Sequence, residues 1–290
     1  MSKIKVLIPI YNDWKSAFKL LEDIDLQVNN LNHEFSIIIV NDCSTEERPI
    51  NDFNFKNLKS IKIINMKKNK GHARCNAFGI RYLAKKNDYD HVILMDGDGE
   101  DRPQEIKLLV NKALVDKNLS IVAKRIKRSE GPFFQFLYRA HKVITIIFTG
   151  KNINFGNYSC LTKKDILTLS KKESLWSSFS GSVKKYILEF NSINSIRGVR
   201  YFGPSKMSFY KLGIHSFSII AVFKRNVFLR STIFLFILAY LSVEIGILAA
   251  IFQFFLVIFN LLIFLVSLRE NENEFVKSES NIKEELNFTR

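Results

Sequence analysis

Short apolar runs and helical periods alternate along the first half of this chain. Ile4 to Ile10, Phe35 to Val40, Ile61 to Ile64, Val92 to Met95 and Ser120 to Ala123 each read as a buried strand. Between them lie helical patterns: Trp14, Phe18, Leu21 and Ile24 on one face, then Gly71 to Leu83, then Pro103 to Val115. Gly79 lets the second of these helices approach the sheet closely, and Pro103 opens the third where its missing N–H costs nothing. Strands alternating with helices of about a dozen residues predict right-handed βαβ units and an α/β fold, a parallel sheet covered on both faces.

The pattern changes after residue 130. Phe133 to Phe148 reads as a helix with an apolar, aromatic face, which suits either a core or a membrane surface. Met207 to Arg230 reads as an apolar-rich helix with basic edges, suited to the bilayer interface. Ser231 to Leu268 is roughly 38 residues of nearly unbroken apolar sequence, against about 20 for one crossing. Two helical arms meeting near Glu244, Gly246 and Gln253 fit it better than one helix. The division expected is therefore a catalytic-type domain over 1–206, a juxtamembrane helix over 207–230, a transmembrane hairpin over 231–268 and a disordered polar tail over 269–290.

Polar clusters stand at the ends of successive strands, and open α/β sheets bind their ligands at that edge. His91-Val92-Ile93-Leu94-Met95 runs into Asp96-Gly97-Asp98-Gly99-Glu100-Asp101-Arg102-Pro103. Asp96, Asp98 and Glu100 alternate across a pliable turn, so hard oxygen donors can converge on Mg²⁺ or Mn²⁺ carried with a diphosphate. The bland alternative is an acidic surface turn, which the position after a central strand disfavours. Lys70 and Gly71, in a basic turn opening a helix, can lend an ammonium and backbone N–H groups to a phosphate; a solvated basic turn is the competing reading. Neither Gly-x-Gly-x-x-Gly after the first strand nor a Gly-x-x-x-x-Gly-Lys-Ser/Thr segment occurs. Lys124-Arg125-Ile126-Lys127-Arg128 reads as a flexible cationic loop able to close over a diphosphate through Arg125 and Arg128. Arg197, Arg200 and Lys206, set among Gly198, Gly203 and Pro204, make a second loop dense in phosphate ligands.

Charge narrows the partners. The net charge of +15 comes with no aromatic-basic signature of a nucleic-acid module, so an anionic membrane surface or phosphorylated substrates account for it better. Cys43, Cys75 and Cys160 make no zinc, redox or disulfide pattern, which favours a reducing compartment. The amino terminus lacks the long apolar stretch of a cleaved signal.

Four segments together resemble family 2 glycosyltransferases. Val6 to Asp13 is similar to the family's opening strand, and Ile38 to Ser44 to its Val-Asp-Asp-Gly-Ser turn. Asn69-Lys70-Gly71 with Ala73 and Gly79 is similar to its glycine-opened helix, and Met95 to Pro103 to its Asp-x-Asp turn and following helix. The resemblance implies a GT-A fold, Rossmann-like and mostly parallel, and an inverting transfer of a sugar from a UDP- or GDP-sugar. Carried over by position, Pro9, Tyr11, Asp13 and Asp42 would hold the nucleoside, and Asp96 and Asp98, with Glu100, the metal and diphosphate. Asn41 and Cys43 depart from the family's Asp and Gly, which bears on base preference.

Ile196 to Lys206, including Ser205, resembles the Arg…Gly-x-Ser-Lys region of polyprenyl-phosphate glycosyltransferases such as dolichol-phosphate mannose synthases. Relatives commonly carry an Asp-Phe-Arg-Leu-like segment where this chain has Phe155 to Leu161. A phosphate acceptor is already an anion and needs no general base, and only Glu173 lies between Asp165 and Glu189. The expected acceptor is therefore a polyprenyl phosphate. A hydroxyl of a lipid-linked or surface glycan is the alternative, and a catalytically silent sugar-nucleotide-binding membrane protein a second. The positive-inside bias puts the basic domain on the cytoplasmic face of a cell (inner) membrane, in a multi-pass protein. A homo-oligomer is left open.

Overall fold

The computed structural model describes residues 1–49, 55–116, 119–127, 132–204 and 208–289. In chain order the elements are β1 (Lys3–Ile10), α1 (Trp14–Val28), β2 (Glu34–Asn41), β3 (Leu58–Met66), α2 (His72–Ala84), β4 (His91–Leu94) and α3 (Ile106–Val115). They continue with β5 (Ser120–Lys127), α4 (Pro132–Thr149), β6 (Phe155–Thr162), α5 (Lys163–Leu169), α6 (Phe179–Tyr186) and β7 (Phe190–Ile196). The carboxyl-terminal part holds α7 (Phe209–Ala221), α8 (Lys224–Ile245), α9 (Ile247–Ser267), α10 (Glu272–Val276) and β8 (Ile282–Thr289).

One eight-stranded sheet runs β7-β5-β6-β4-β1-β2-β3-β8. Side chains alternate across it as strand geometry requires. Val6, Ile8, Ile37, Ile39 and Ile93 face α1 and α3, whereas Leu7, Ile38, Val40, Val92 and Leu94 face α2, α5 and α6. The result is three layers with a buried core on each face, the GT-A arrangement expected.

The sheet is mixed. β6 lies antiparallel between β4 and β5, and β8 antiparallel against β3. Because β6 is reversed, its first residues sit beside the carboxyl ends of β1, β2, β3, β4, β5 and β7. That edge collects the polar clusters.

Three expectations need correction. The run from Lys124 to Lys127 is strand, because β5 continues in register with β7 through Arg125↔Ser195 and Lys127↔Ile196. The juxtamembrane helix breaks at Val222–Phe223, where the Lys185 ammonium donates to the Val222 carbonyl at 2.7 Å; α8 begins at Lys224. The tail is ordered. β3 otherwise leaves a row of unpaired backbone groups, and β8 satisfies them while Leu286 and Phe288 pack on the core and Phe275 is buried.

α8 and α9 are each long and apolar enough to cross a membrane. They meet at Gly246, whose φ of 53° permits the reversal. Val227, near the start of α8, is buried with Ile263, near the end of α9, so the arms run antiparallel. Lys224 and Glu270 close the open end of the hairpin with a 2.8 Å ion pair.

Gly79 fulfils its expected role: a Cβ there would lie 2.5 Å from Leu7 Cδ1, and Leu7 is fully buried and cannot retreat. Gly79→Ala should therefore cost about 1–3 kcal/mol, read as a lowered thermal midpoint of the detergent-solubilised protein.

Candidate active site

Each strand end contributes a built turn. After β1, Asn12 adopts φ 49°, and its amide oxygen accepts from the N–H groups of Thr45 and Glu46 at 2.8 and 3.2 Å, tying the first turn to the second. After β2, Asn41 is buried. Its oxygen accepts from the Ser44 hydroxyl at 2.5 Å, and its amide donates to Asn65 at 2.7 Å. Cys43 holds φ 58° and donates its thiol to the Lys67 carbonyl at 3.3 Å.

Asp42 is buried and accepts from the backbone N–H groups of Lys70 and Gly71 at 2.8 and 2.7 Å. Burial pushes its pKa up, against those two bonds. Its carboxylate fixes the β3–α2 turn. Tyr11 is exposed, Pro9 is buried within β1, and Gly71 takes φ 93° as α2 begins. The Lys70 ammonium is 3.1 Å from Glu274 of α10.

The turn after β4 is the densest part. The Asp96 N–H donates to buried Asp101 at 2.9 Å, and the Glu100 N–H donates to Asp98 at 3.0 Å. The segment following β7 lies over this turn: the Gly198 N–H donates to the Glu100 carbonyl at 2.8 Å and the Tyr201 N–H to the Asp98 carbonyl at 3.0 Å. The Tyr201 ring covers Gly99, and its hydroxyl donates to Asp23 at 2.5 Å. Arg197 pairs with Glu100. Arg200 pairs with Asp98 at 2.7 Å and also with Asp13. From β5, Arg125 reaches to 3.5 Å from Asp101.

The carboxylates respond to this crowding. Burial and the charges of Asp96 and Glu100 raise Asp98 to about 6, and burial with the Asp96 charge raises Asp101 to about 7. Asp96 goes the other way. Burial would raise it, but the His72 charge and hydrogen bond, with Arg125 and Asn157, hold it well below the usual carboxylate range. His72 is correspondingly raised: burial opposes the charge, and Asp96 at 3.1 Å outweighs burial. Asn157, at the start of β6, has its amide nitrogen 2.7 Å from His72 Nε2 and 3.1 Å from Asp96.

Among the described residues no group of three His, Cys, Asp or Glu side chains is arranged to hold a metal alone. Glu100 is turned to Arg197, not to a common point with Asp96 and Asp98. The donor set still fits a hard divalent ion carried with a diphosphate: the Asp96 and Asp98 carboxylates of one turn, with Asp98 raised by burial and by the charges of Asp96 and Glu100, leave the remaining ligands to phosphate and water.

The structure thus gathers Asp13, Asp96, Asp98, Glu100, Arg125, Arg197 and Arg200 at one edge, with Asp42, Lys70 and Gly71 in the neighbouring turn. Arg128, Ser205 and Lys206 lie outside the described residues. Sequence reasoning assigned no role to His72, Asp101, Asn157, Tyr201 or Glu274. Asp101 and His72 stood inside the motifs already read, so proximity was the available signal. Asn157 lies in the Phe155 to Leu161 segment already set against the relatives' Asp-Phe-Arg-Leu, whereas Glu274 reaches the site through a carboxyl-terminal segment that carried no signal.

A mixed sheet that brings an Asp-x-Asp turn, a glycine-opened helix and an arginine-rich segment to one edge defines a GT-A-type site. The chain belongs to glycosyl transferase family 2, whose model matches residues 5–179. It is similar to the undecaprenyl-phosphate 4-deoxy-4-formamido-L-arabinose transferase of Proteus mirabilis, at 24% identity over 220 residues. The match covers 73% of this chain and 65% of that protein, so the chain spans just under two thirds of this relative's length. An uncharacterized protein of Methanocaldococcus jannaschii is 29% identical over 119 residues, 40% of this chain and 48% of its own. In fold the chain is similar to glucosyl-3-phosphoglycerate synthase from Mycobacterium tuberculosis, solved in complex with Mn²⁺, UDP-glucose and phosphoglyceric acid. That likeness has a TM-score of 0.51 and 15% identity, and covers 78% of this chain and 80% of that one.

The His72–Asp96 pair makes stability depend on pH. A histidine whose pKa is raised by folding contributes fully below its ordinary value near 6.5 and loses that contribution as pH rises through the raised value. His72→Gln should therefore be less stable than the parent at about pH 6, with the gap narrowing toward about pH 9. Thermal unfolding in a chelator across that range checks it; a constant gap would refute the pairing.

Proposed function

We propose that this chain is a membrane-anchored, inverting glycosyltransferase that moves a sugar from a UDP- or GDP-sugar to the phosphate of a polyprenyl phosphate. One observation carries the reading: arginines from β5 and from the segment after β7 converge on the carboxylate turn on the side where α4 and α7 lie. The His141 ring nitrogen Nε2 is 3.0 Å from the Ser216 carbonyl, joining α4 to α7. His215 of α7 is close enough to the site that, after burial, the charge of His72 is the largest influence lowering it to about 4. Phe136, Val143, Ile144, Ile146 and Ile147 of α4 are exposed, as are Phe209, Tyr210 and Leu212 of α7. That surface, beside the hairpin, suits a bilayer face. The named relative acting on undecaprenyl phosphate supports the acceptor, and the fold neighbour with Mn²⁺ and UDP-glucose supports the donor and a divalent ion.

Asp98 with Asp96 would hold Mg²⁺ or Mn²⁺, which when bound supplies Lewis-acid stabilisation of the leaving diphosphate. The acceptor phosphate oxygen forms the new bond to the anomeric carbon while the bond from that carbon to the nucleoside diphosphate breaks, inverting the centre. No general base is required, because the nucleophile is already ionised at neutral pH. Asp165 argues the same way: it is buried and accepts from Ser120 at 2.5 Å, at the start of β5 and so at the opposite edge of the sheet. Arg200, bridging Asp13 and Asp98, balances charge between nucleoside and metal ends of the donor.

Arg125 is assigned to the acceptor phosphate. Its guanidinium packs directly over Gly156, where a Cβ would come within 3.2 Å of Nη2, so the missing side chain at 156 makes room for a cation from the neighbouring strand. The basic domain and both ends of the hairpin are placed on the cytoplasmic side of the inner membrane.

The test is transfer by purified protein from a panel of UDP- and GDP-sugars, with Mn²⁺ and undecaprenyl or dolichyl phosphate, read by mass spectrometry. One donor should give a glycolipid, and Asp98→Ala should abolish it; retained turnover in Asp98→Ala sinks the metal assignment. Arg125→Ala should raise the KM for polyprenyl phosphate about tenfold or more, as loss of a charge-assisted bond implies. The donor KM should rise less than the acceptor KM, since Arg125 also faces Asp101 of the carboxylate turn.

A further inference from the structure

The segment that follows the membrane hairpin is built onto the turn between β3 and α2, not only onto the sheet edge. The Lys67 N–H donates to the Asn281 carbonyl at 2.7 Å, and the Lys68 N–H donates to the Asn281 side-chain oxygen at 3.1 Å. The Asn281 amide donates back to the Lys68 carbonyl at 3.0 Å, and the Lys67 ammonium donates to the Ser280 carbonyl at 2.9 Å. Two residues beyond Lys68, the Lys70 ammonium donates at 3.1 Å to Glu274, which also accepts from the Trp176 indole N–H at 3.3 Å. Asp42 meanwhile binds the N–H groups of Lys70 and Gly71 from the β2 side. The turn is gripped from two directions.

Three lysines within four residues repel one another, and a glycine at φ 93° gives the chain many other conformations. The grip removes both freedoms. It is anchored independently of the turn. Phe275 is buried beneath the Arg81 guanidinium, which lies 4.5 Å from its ring centroid, and Arg81 donates to the Val276 carbonyl at 3.2 Å. β8 then pairs along β3 from Met66 to Ser60.

We propose that residues 270–289 form a strap that completes the nucleotide-sugar site. Asn281 and Glu274 are its positioning residues, setting the Lys67–Gly71 turn and the Lys70 ammonium for the donor's diphosphate. This rests on the donor reading given above and extends it to a segment that lies beyond the family match at 5–179. The strap leaves α9 directly, and Glu270 is paired with Lys224 at the base of α8, so hairpin and donor turn form one mechanical unit.

The test uses the full chain in lipid nanodiscs, with Asn281→Ala and Glu274→Gln, and Lys283→Ala as an exposed control on the same strap. Asn281→Ala should raise the donor KM about 5- to 10-fold, the scale expected for two lost hydrogen bonds. It should leave the acceptor KM within about twofold and speed amide exchange at Lys67 and Lys68. Glu274→Gln should raise the donor KM less, and Lys283→Ala should match the parent. If the donor and acceptor KM rise together with a fall in thermal midpoint, the strap is only a structural edge strand and the proposal fails. Turnover by the parent with an unchanged donor KM in Asn281→Ala overturns the positioning role alone. A parent that binds no nucleotide sugar overturns the donor reading itself, and the strap's role with it.

Discussion

Carboxylates crowded at the end of one buried strand cannot all stay ionised without nearby positive charge, and much of this fold supplies it. Asp96, Asp98 and Asp101 fall within six residues of sequence. The pKa values of Asp98 and Asp101 rise toward neutrality, whereas Asp96 stays low because His72 touches it. Arg125 arrives from β5, Arg200 and Arg197 from the segment after β7, and His72 from the start of α2. A metal–diphosphate exchanging into this site would meet charges already arranged in alternation, so donor binding costs little reorganisation.

The same edge determines how the apolar hairpin of α8 and α9 is attached. α7 approaches the site from one side and the strap from the other, and the two arms of the hairpin join them. A hairpin fixed at both ends cannot swing freely about a single linker. The catalytic edge is therefore held at a set height and orientation to the surface that α4, α7 and the hairpin present. Under the function proposed above, that constraint suits an acceptor whose reactive phosphate sits at a bilayer surface while its tail stays in lipid.

Much of this was legible in the sequence, for identifiable reasons. The five strands of the first half are mostly apolar runs, broken only by single residues such as Lys5, Ser36 and Lys62, because strands buried on both faces have little polar side to alternate with. Asp96, Asp98, Asp13 and Asp42 stood at their ends, where position alone marks a site. β6 and β7 were missed because they mix polar and apolar residues, as in Phe155-Gly156-Asn157-Tyr158 and Phe190-Asn191-Ser192-Ile193. β8 was missed more completely. An edge strand exposes one side and one face, so Lys283, Glu284, Glu285 and Asn287 give it the composition of a disordered tail. Arg125 was expected in a flexible cationic loop, yet β5 continues through it and its guanidinium packs against Gly156 of the neighbouring strand.

The departures from the family pattern at Asn41 and Cys43 follow from that hidden strand. Asn41 accepts from Ser44 with its oxygen and donates its amide to the Asn65 oxygen; Asn65 in turn donates to Glu284 of β8 at 2.9 Å. An aspartate at 41 has no hydrogen to give. Asn65 would have to reverse its amide to serve it, and would then turn its oxygen toward the Glu284 carboxylate. The asparagine is therefore the residue compatible with an acidic eighth strand at this point in the sheet. Cys43 follows the same logic, since its thiol reaches the Lys67 carbonyl on the turn whose N–H is bound to Asn281. Two departures that in the sequence bear on base preference are, in the folded chain, the inner side of the strap's attachment.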